Sequence, residues 1–372
     1  MTRQFTEDEI RLTRARAQRL TGDRAKDVAD VVRDLVGTQS QDIRAARMAL
    51  RPRTTTGVDA AAVDRACNED RSVVRIWAMR STLHMVAAED VRWIVGLLGP
   101  IFAAADKRRR SQLGLDDDML RSAVPKLERI VAAEGPLTRA DLVRRLDAKG
   151  VRVDPKSQAP AHLIGYAAMT GIICRGPEVD KDEPTYVLID DWAGKQTKLD
   201  GDAALAELTR RYVASRGPVT PQDFAKWSGL PAKQAKRGFE LVADELEEVD
   251  AAGSAAWVTT GTTARTPGRK PAVQLLGHFD ELLLGYASRE LVLAPAFTKR
   301  IQVGGGFIQP AVLVDGRVLG AWKQQRDKDR LIVRVQPFEA LPDAAAAALE
   351  AEAADIGRFL GVDAELQVGK PG

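Results

Sequence analysis

Two neutral amides, Gln39 and Gln41, stand two positions apart in "LVGTQSQD" (35–42). Glutamine does not ionise, so neither side chain can carry a proton in a general acid or base cycle. Its carbonyl oxygen can hold a water in place and face a growing positive charge, and its NH₂ can donate to an anionic oxygen. On an extended segment positions i and i+2 project to the same side, so both amides would reach one centre; on a helix they would diverge by about 160°. Taken alone, the spacing favours a plainer reading in which both side chains cap helix ends or bind phosphate.

Other chemistries are poorly served. The three histidines, His84, His162 and His278, show no metal-ligand spacing. Cys67 and Cys174 are far apart and form no CxxC pattern, which fits reduced, buried thiols. "GGGF" (304–307) lacks the residues of a Walker or dinucleotide-binding loop. Neither a cofactor nor a metal is expected. No apolar run reaches the roughly 18 residues of a spanning helix, and the start has no apolar signal core, so a cytoplasmic protein without membrane contact is expected.

The net charge of +3 is unevenly distributed: residues 337–372 hold seven carboxylates against two cations, a net −5, which leaves +8 for the remainder. Arg44, Arg47, Arg51, Arg53, Arg75 and Arg80 lie close together in sequence. Guanidinium forks suit phosphate, so an arginine-rich nucleic-acid surface is one reading; solvated arginines in an Arg- and Ala-rich chain are the other.

The elements that must position these residues show a repeat. "GPLTRADL" (135–142) and "GPVTPQDF" (217–224) share Gly-Pro-apolar-Thr-x-x-Asp-apolar, about 82 residues apart. Thr138 and Thr220 fit helix N-caps closed by Asp141 and Asp223, with Pro221 at the first helical position. An amphipathic helix precedes each copy, while a further helix and two β-like runs follow, which is the order of a winged helix. The N-terminus reads as a divergent third copy. Thr6 and Glu9 form its box, "RAKDVADVVRDLV" its second helix, Gly37 the left-handed residue past it, "DIRAARMAL" its third helix, and "VVRIWAMR" with "STLHMV" (73–86) its hairpin. Gln39 and Gln41 then occupy the turn of a helix-turn-helix. Trp77 and Met79 are expected in the core under the wing, and His162, at helical spacing with Tyr166, in a structural role.

From about 271 the chain turns β-rich, with Asp315–Gly316 as a type I′ hairpin turn, and "DAAAAALEAEAADIGRFLG" reads as a closing helix capped by Asp343. The expectation is an α+β chain: three tandem winged-helix units, a small β-barrel or curled sheet, and a C-terminal helix. The segments are 1–115, 116–197, 198–265 and 266–372.

"LVGTQSQD", "VVRIWAMRSTLHMV", "FDELLLGYASRE" and "GGGFIQPAVLVDGRVLGAWK", in this order, resemble the AlkZ-like bacterial DNA glycosylases over about residues 6–340. The resemblance implies winged helices and a β-barrel arranged around duplex DNA. It also implies hydrolysis of the N-glycosidic bond of alkylated purines, including bulky adducts and, in some members, interstrand crosslinks. The family's Gln-x-Gln motif falls on Gln39 and Gln41, which become the expected catalytic pair. One branch has Gln-x-Asp instead; the amide version places this chain nearer the crosslink-unhooking branch. Ser40 stands where the family is usually apolar, and His278 where a proline is expected.

That chemistry suits amides. A purine alkylated at N7 or N3 is cationic and leaves neutral, so the acid catalyst of ordinary base excision is dispensable. Thr38, Arg44, Arg75, Arg80, His84, Lys107 and Arg108 are the expected contacts to double-stranded DNA, "DKRRR" (106–110) being a non-specific phosphate segment. A monomer is expected. The alternatives are a non-catalytic winged-helix transcription regulator, though three dissimilar units do not make a palindrome reader, and a winged-helix scaffold for protein contacts.

Overall fold

The structure is a computed structural model that describes residues 2–179, 183–266, 268 and 270–372. The chain forms two compact units, one of Met1–Val63 with Ala206–Gly372 and a smaller one of Asp64–Leu205. These units cut the chain at different places from the four sequence segments.

The smaller unit begins with the hairpin Val73–Trp77 and Leu83–Ala87, followed by the helix Val91–Ala105. Helices Asp117–Glu134, Arg139–Ala148 and Ala159–Met169 then lead into the paired strands Ile173–Val179 and Glu183–Leu188. Three helices and a hairpin therefore stand in the expected order. Their inward faces form one core, including Leu127, Leu142, Leu146, Leu163 and Ile173. The two hairpins of this unit share a sheet, joined at Arg75 opposite Arg175. The first hairpin is thus part of a larger sheet. The helix Val91–Ala105, with Pro100 inside it, buries Val91, Ile94, Val95, Leu98 and Phe102 along one stripe.

The larger unit holds helices Glu7–Ala17, Val28–Asp34 and Ile43–Leu50. It also carries Gly201–Arg216, Pro221–Ser228, Ala232–Leu241 and the hairpin Leu246–Ala251/Ser254–Thr259. The capping boxes of Thr6 with Glu9 and Thr220 with Asp223 are formed, and Thr138 accepts from the Asp141 N–H. The strand Arg3–Phe5 adds to this hairpin in parallel, Phe5 opposite Ala251. Tyr212, Phe224, Trp227 and Phe239 fill the space between the helices, with ring centroids 4.9–6.2 Å apart.

The β-rich segment is a five-stranded curled sheet in the order Val273–Leu276, Ala311–Val314, Arg317–Asp327, Arg330–Pro337, Asp363–Val368. A register shift between Val312 and Leu313 is the kind of irregularity that increases twist. Asp315 and Gly316 both have positive φ (46° and 77°), as a type I′ turn requires. The helix Ala345–Leu360 buries Leu349, Ile356 and Phe359; its N-cap is Ala344, not Asp343, whose main chain forms the preceding turn. The last strand, parallel to Arg330–Pro337, was not anticipated, since "DAELQV" pairs at an edge and has few buried side chains.

Candidate active site

Gln39 ends the two-residue strand Thr38–Gln39, and Asp42 starts the helix Ile43–Leu50 by accepting from the Arg44 and Ala45 N–H groups. Between them the backbone is extended enough for exposure to alternate: Gln39 is half-buried, Ser40 is fully buried and Gln41 is exposed. That is the period-2 pattern that puts both amides on the outer side with Ser40 between them facing inward. Ser40, where the family resemblance implies an apolar residue, is a core position.

The helix before this segment, Val28–Asp34, closes with the Gly37 N–H on the Val32 carbonyl (2.7 Å) and the Val36 N–H on the Arg33 carbonyl (3.2 Å). Left-handed backbone was expected at Gly37 alone. Val36 (φ 56°) shares it with Gly37 (φ 111°). A β-branched residue there costs about 1–2 kcal/mol, so other contacts must hold the turn.

Those contacts come from "FDELLLGY" (279–286). Glu281, fully buried, accepts the Gln39 backbone N–H at 2.8 Å and pairs with Arg216 at 3.0 Å. Asp280 pairs with Arg53. Tyr286 donates to the Arg216 carbonyl at 3.0 Å and accepts from Gln18 Nε2 at 3.1 Å. The segment is thus the buried frame behind the glutamine turn. Long-range pairing of this kind has no sequence signature in one chain.

The arginine-rich stretch divides in the same way. Arg44 is exposed, and Arg47 and Arg80 are half-buried. Arg51 and Arg53 have no exposure and Arg75 has 6%. Arg51 pairs with Glu352 and Asp355 at 2.6 Å each, and Arg75 with Glu178. The expected arginine surface is therefore half interior: these guanidinium groups neutralise buried acids.

Among the expected DNA contacts, Thr38, Gln39, Gln41 and Arg44 belong to the larger unit, and Arg75, Arg80, His84, Lys107 and Arg108 to the smaller. Thr38 and His84 are buried, and the His84 Nδ1 lies 3.0 Å from the Thr82 carbonyl. Thr38, Arg75 and His84 thus present little surface, unlike Arg44, Lys107 and Arg108. Arg80 and Ser81 form the hairpin turn, both at positive φ (57° and 58°). Lys107 and Arg108 are exposed, and Lys107 also meets Asp117 at 2.7 Å. Within "DKRRR", Arg110 turns inward, donating to the Ala103 carbonyl at 2.7 Å and lying over the Tyr166 ring. His162 pairs with Asp106 at 2.8 Å and lines a cleft of about 400 Å³ with Trp77 and Phe102. Met79 is buried, and Trp77 is partly buried against the core of Leu127, Leu142, Leu163 and Ile173. Neither cysteine forms a disulfide and both are buried; burial pushes the Cys174 thiol up to about 12. Among the described residues no helix is long and apolar enough to cross a membrane, and no group of three or more His, Cys, Asp or Glu could hold a metal ion.

The half-buried Gln39 and the exposed Gln41 flank the buried Ser40 on a mixed α+β scaffold with a curled sheet. The chain belongs to the DNA glycosylase AlkZ-like family, whose sequence model matches residues 32–359. An interstrand DNA cross-link repair glycosylase of Streptomyces sahachiroi is 29% identical over 356 residues, covering 90% of this chain and 91% of that protein. The solved structure of Streptomyces sahachiroi DNA glycosylase AlkZ superposes with a TM-score of 0.82 at 26% identity, covering 98% of this chain and all of the other.

Proposed function

We propose that this DNA glycosylase is monofunctional and hydrolyses the N-glycosidic bond of cationic N7- or N3-alkylated purines in duplex DNA, with Gln39 and Gln41 as its catalytic pair. The observation that carries this reading is the alternation of exposure across Gln39, Ser40 and Gln41. It turns two amides outward on one side while the turn behind them is fixed.

The bond from C1′ to the base nitrogen breaks first, and its electron pair neutralises the cationic purine. The deoxyribose becomes oxocarbenium-like. A glutamine carbonyl dipole steadies that charge and holds a water against C1′. Water oxygen bonds to C1′, and its proton passes to solvent. No acid is needed on the leaving base, so an unmodified purine, which would need one, is spared. The same economy suits bulky adducts and crosslinks, because a tethered base need not swing fully out of the duplex. The Streptomyces relative is named for crosslink repair, which supports that substrate class. The protein acts as a monomer, with Arg44, Arg80, Lys107 and Arg108 on phosphates.

The test is release of N7-methylguanine from duplex DNA, followed by a second assay on a crosslinked duplex. Gln39→Ala and Gln41→Ala are each expected to lose about 10²–10³ in rate, as for removal of one preorganised dipole, with DNA affinity kept. Tight DNA binding by wild type with no release from either substrate would overturn the reading.

A further inference from the structure

A single buried ion pair bridges the glutamine turn from both ends. Arg216 donates from Nη1 to the Leu35 carbonyl (2.9 Å) and from Nη2 to Glu281 Oε2 (3.0 Å). Glu281 Oε1 in turn accepts the Gln39 N–H (2.8 Å). Leu35 and Gln39 flank Val36, Gly37 and Thr38, of which Val36 and Gly37 sit at positive φ. The left-handed stretch is thus enclosed between two points fixed by one Arg–Glu pair.

We propose that Arg216 and Glu281 act as a staple that locks this turn in the conformation presenting both amides, and that Glu281 is a positioning residue for base release. The inference rests on the reading of Gln39 and Gln41 as the catalytic pair.

Glu281 is not itself the catalyst. Its side chain has no exposure, and each carboxylate oxygen is engaged by a donor. It acts through the Gln39 backbone. A carboxylate suits this task because its bond to an N–H is charge-assisted, and a guanidinium fork can serve a carbonyl and a carboxylate at once. Both halves of the staple are themselves held. Asp280 accepts the Leu282 N–H at 2.9 Å and so fixes the start of the short helix Glu281–Leu284. The Arg216 guanidinium lies 4.4 Å from the centre of the Trp227 ring. Gly285 leaves room for both halves, since a Cβ there would come within 2.9 Å of the Glu281 carbonyl oxygen and 3.2 Å of Arg216 Cδ and Nε. Three segments distant in sequence therefore set the position of one backbone N–H. Placement at this scale matters, because a misplacement of about 1 Å can cost about 10² in rate.

The experiment compares wild type, Glu281→Leu, Glu281→Gln and Gly285→Ala in the full-length protein. Three quantities are measured: amide hydrogen exchange of the peptide spanning 36–41, single-turnover release of N7-methylguanine, and DNA affinity. Glu281→Leu is expected to speed exchange in that peptide at least tenfold and to slow release about 10², with affinity within about threefold. Glu281→Gln keeps an acceptor for the Gln39 N–H and should recover part of both losses, which a merely stabilising role would not produce. Gly285→Ala crowds the Glu281 main chain and the guanidinium without removing either charge. It supplies a second perturbation if Glu281→Leu fails to fold, and should also raise local exchange. Unchanged exchange and release in folded variants would overturn the staple while leaving the glutamine reading intact. If wild type releases no base, the glutamine reading fails, and the exchange measurements still decide the staple.

Discussion

Arg53 and Asp280 meet with both side chains fully buried, through two hydrogen bonds of 2.7 and 2.8 Å. The same arginine donates to the Gln18 carbonyl at 3.0 Å, and the same aspartate caps the Leu282 N–H at 2.9 Å. The pair ties the end of the helix-turn-helix to the residue preceding Glu281. Losing one member strands the other charge in the interior, so Arg53→Met or Asp280→Leu should each cost about 3–5 kcal/mol. The double replacement should cost clearly less than the sum of the singles. Urea midpoints of the four proteins check this, and an additive double mutant would refute it.

How much of this could be read from the chain depends on the range of the cause. The caps at Thr6, Thr138 and Thr220, the turn at Asp315–Gly316 and the hairpins are set by neighbours within a few residues, and all were legible. Gln39 and Gln41 stand out in the chain by their i, i+2 spacing, and Gln39 ends a short strand while Gln41 lies in the bend before the next helix. What supports them was not. Arg51, Arg53 and Arg75 look like surface arginines because their partners, Glu352 and Asp355, Asp280, and Glu178, lie 103 to 304 residues away. A positive charge reads the same in sequence whether water or a buried carboxylate answers it.

Ser40 is fully buried between the two glutamines. An apolar replacement of similar size should therefore leave the amides facing outward. Ser40→Ala is expected to keep base release within about threefold of wild type, since removing one small buried atom leaves little space behind it. A tenfold loss with an unchanged melting temperature would give the hydroxyl a direct role.

Asp355 titrates below the usual carboxylate range. Burial pushes its carboxyl up, but hydrogen bonds and charge from Arg358 and Arg51 more than offset this. A depressed folded value contributes stability that is present above the unfolded pKa, about 3.9, and is lost as pH falls through the folded value. Asp355→Asn should then destabilise by about 2 kcal/mol at neutral pH, the worth of a charged hydrogen bond. The gap to wild type should be flat above about pH 5 and close progressively below about pH 4. Denaturant midpoints between those limits test it; a gap that widens in acid would contradict the assignment.

Cys174 has no exposure, and its thiol is pushed up to about 12. At pH 8 its thiolate fraction is about 10⁻⁴, against about a quarter for an ordinary cysteine. Alkylation by iodoacetamide in the native protein should be slower than in urea by at least about 10³, followed by mass spectrometry of the peptide. Rapid native labelling would mean that the strand Ile173–Val179 opens readily.

Phosphate contacts and interior arginines should separate in salt titrations. Arg44, Lys107 and Arg108 are exposed, whereas Arg75 is 6% exposed and paired with Glu178. Each phosphate contact adds about 0.9 to the slope of log affinity against log salt concentration on duplex DNA. Arg44→Ala and Lys107→Ala should each lower the slope by about that amount and leave the melting temperature near wild type. Arg75→Met should do the reverse, because it strands Glu178 inside the fold and removes nothing from the surface. A slope lowered by Arg75→Met in a stably folded protein would return that arginine to the DNA-contact set. Unchanged slopes for both Arg44→Ala and Lys107→Ala would move the phosphate track elsewhere on the protein.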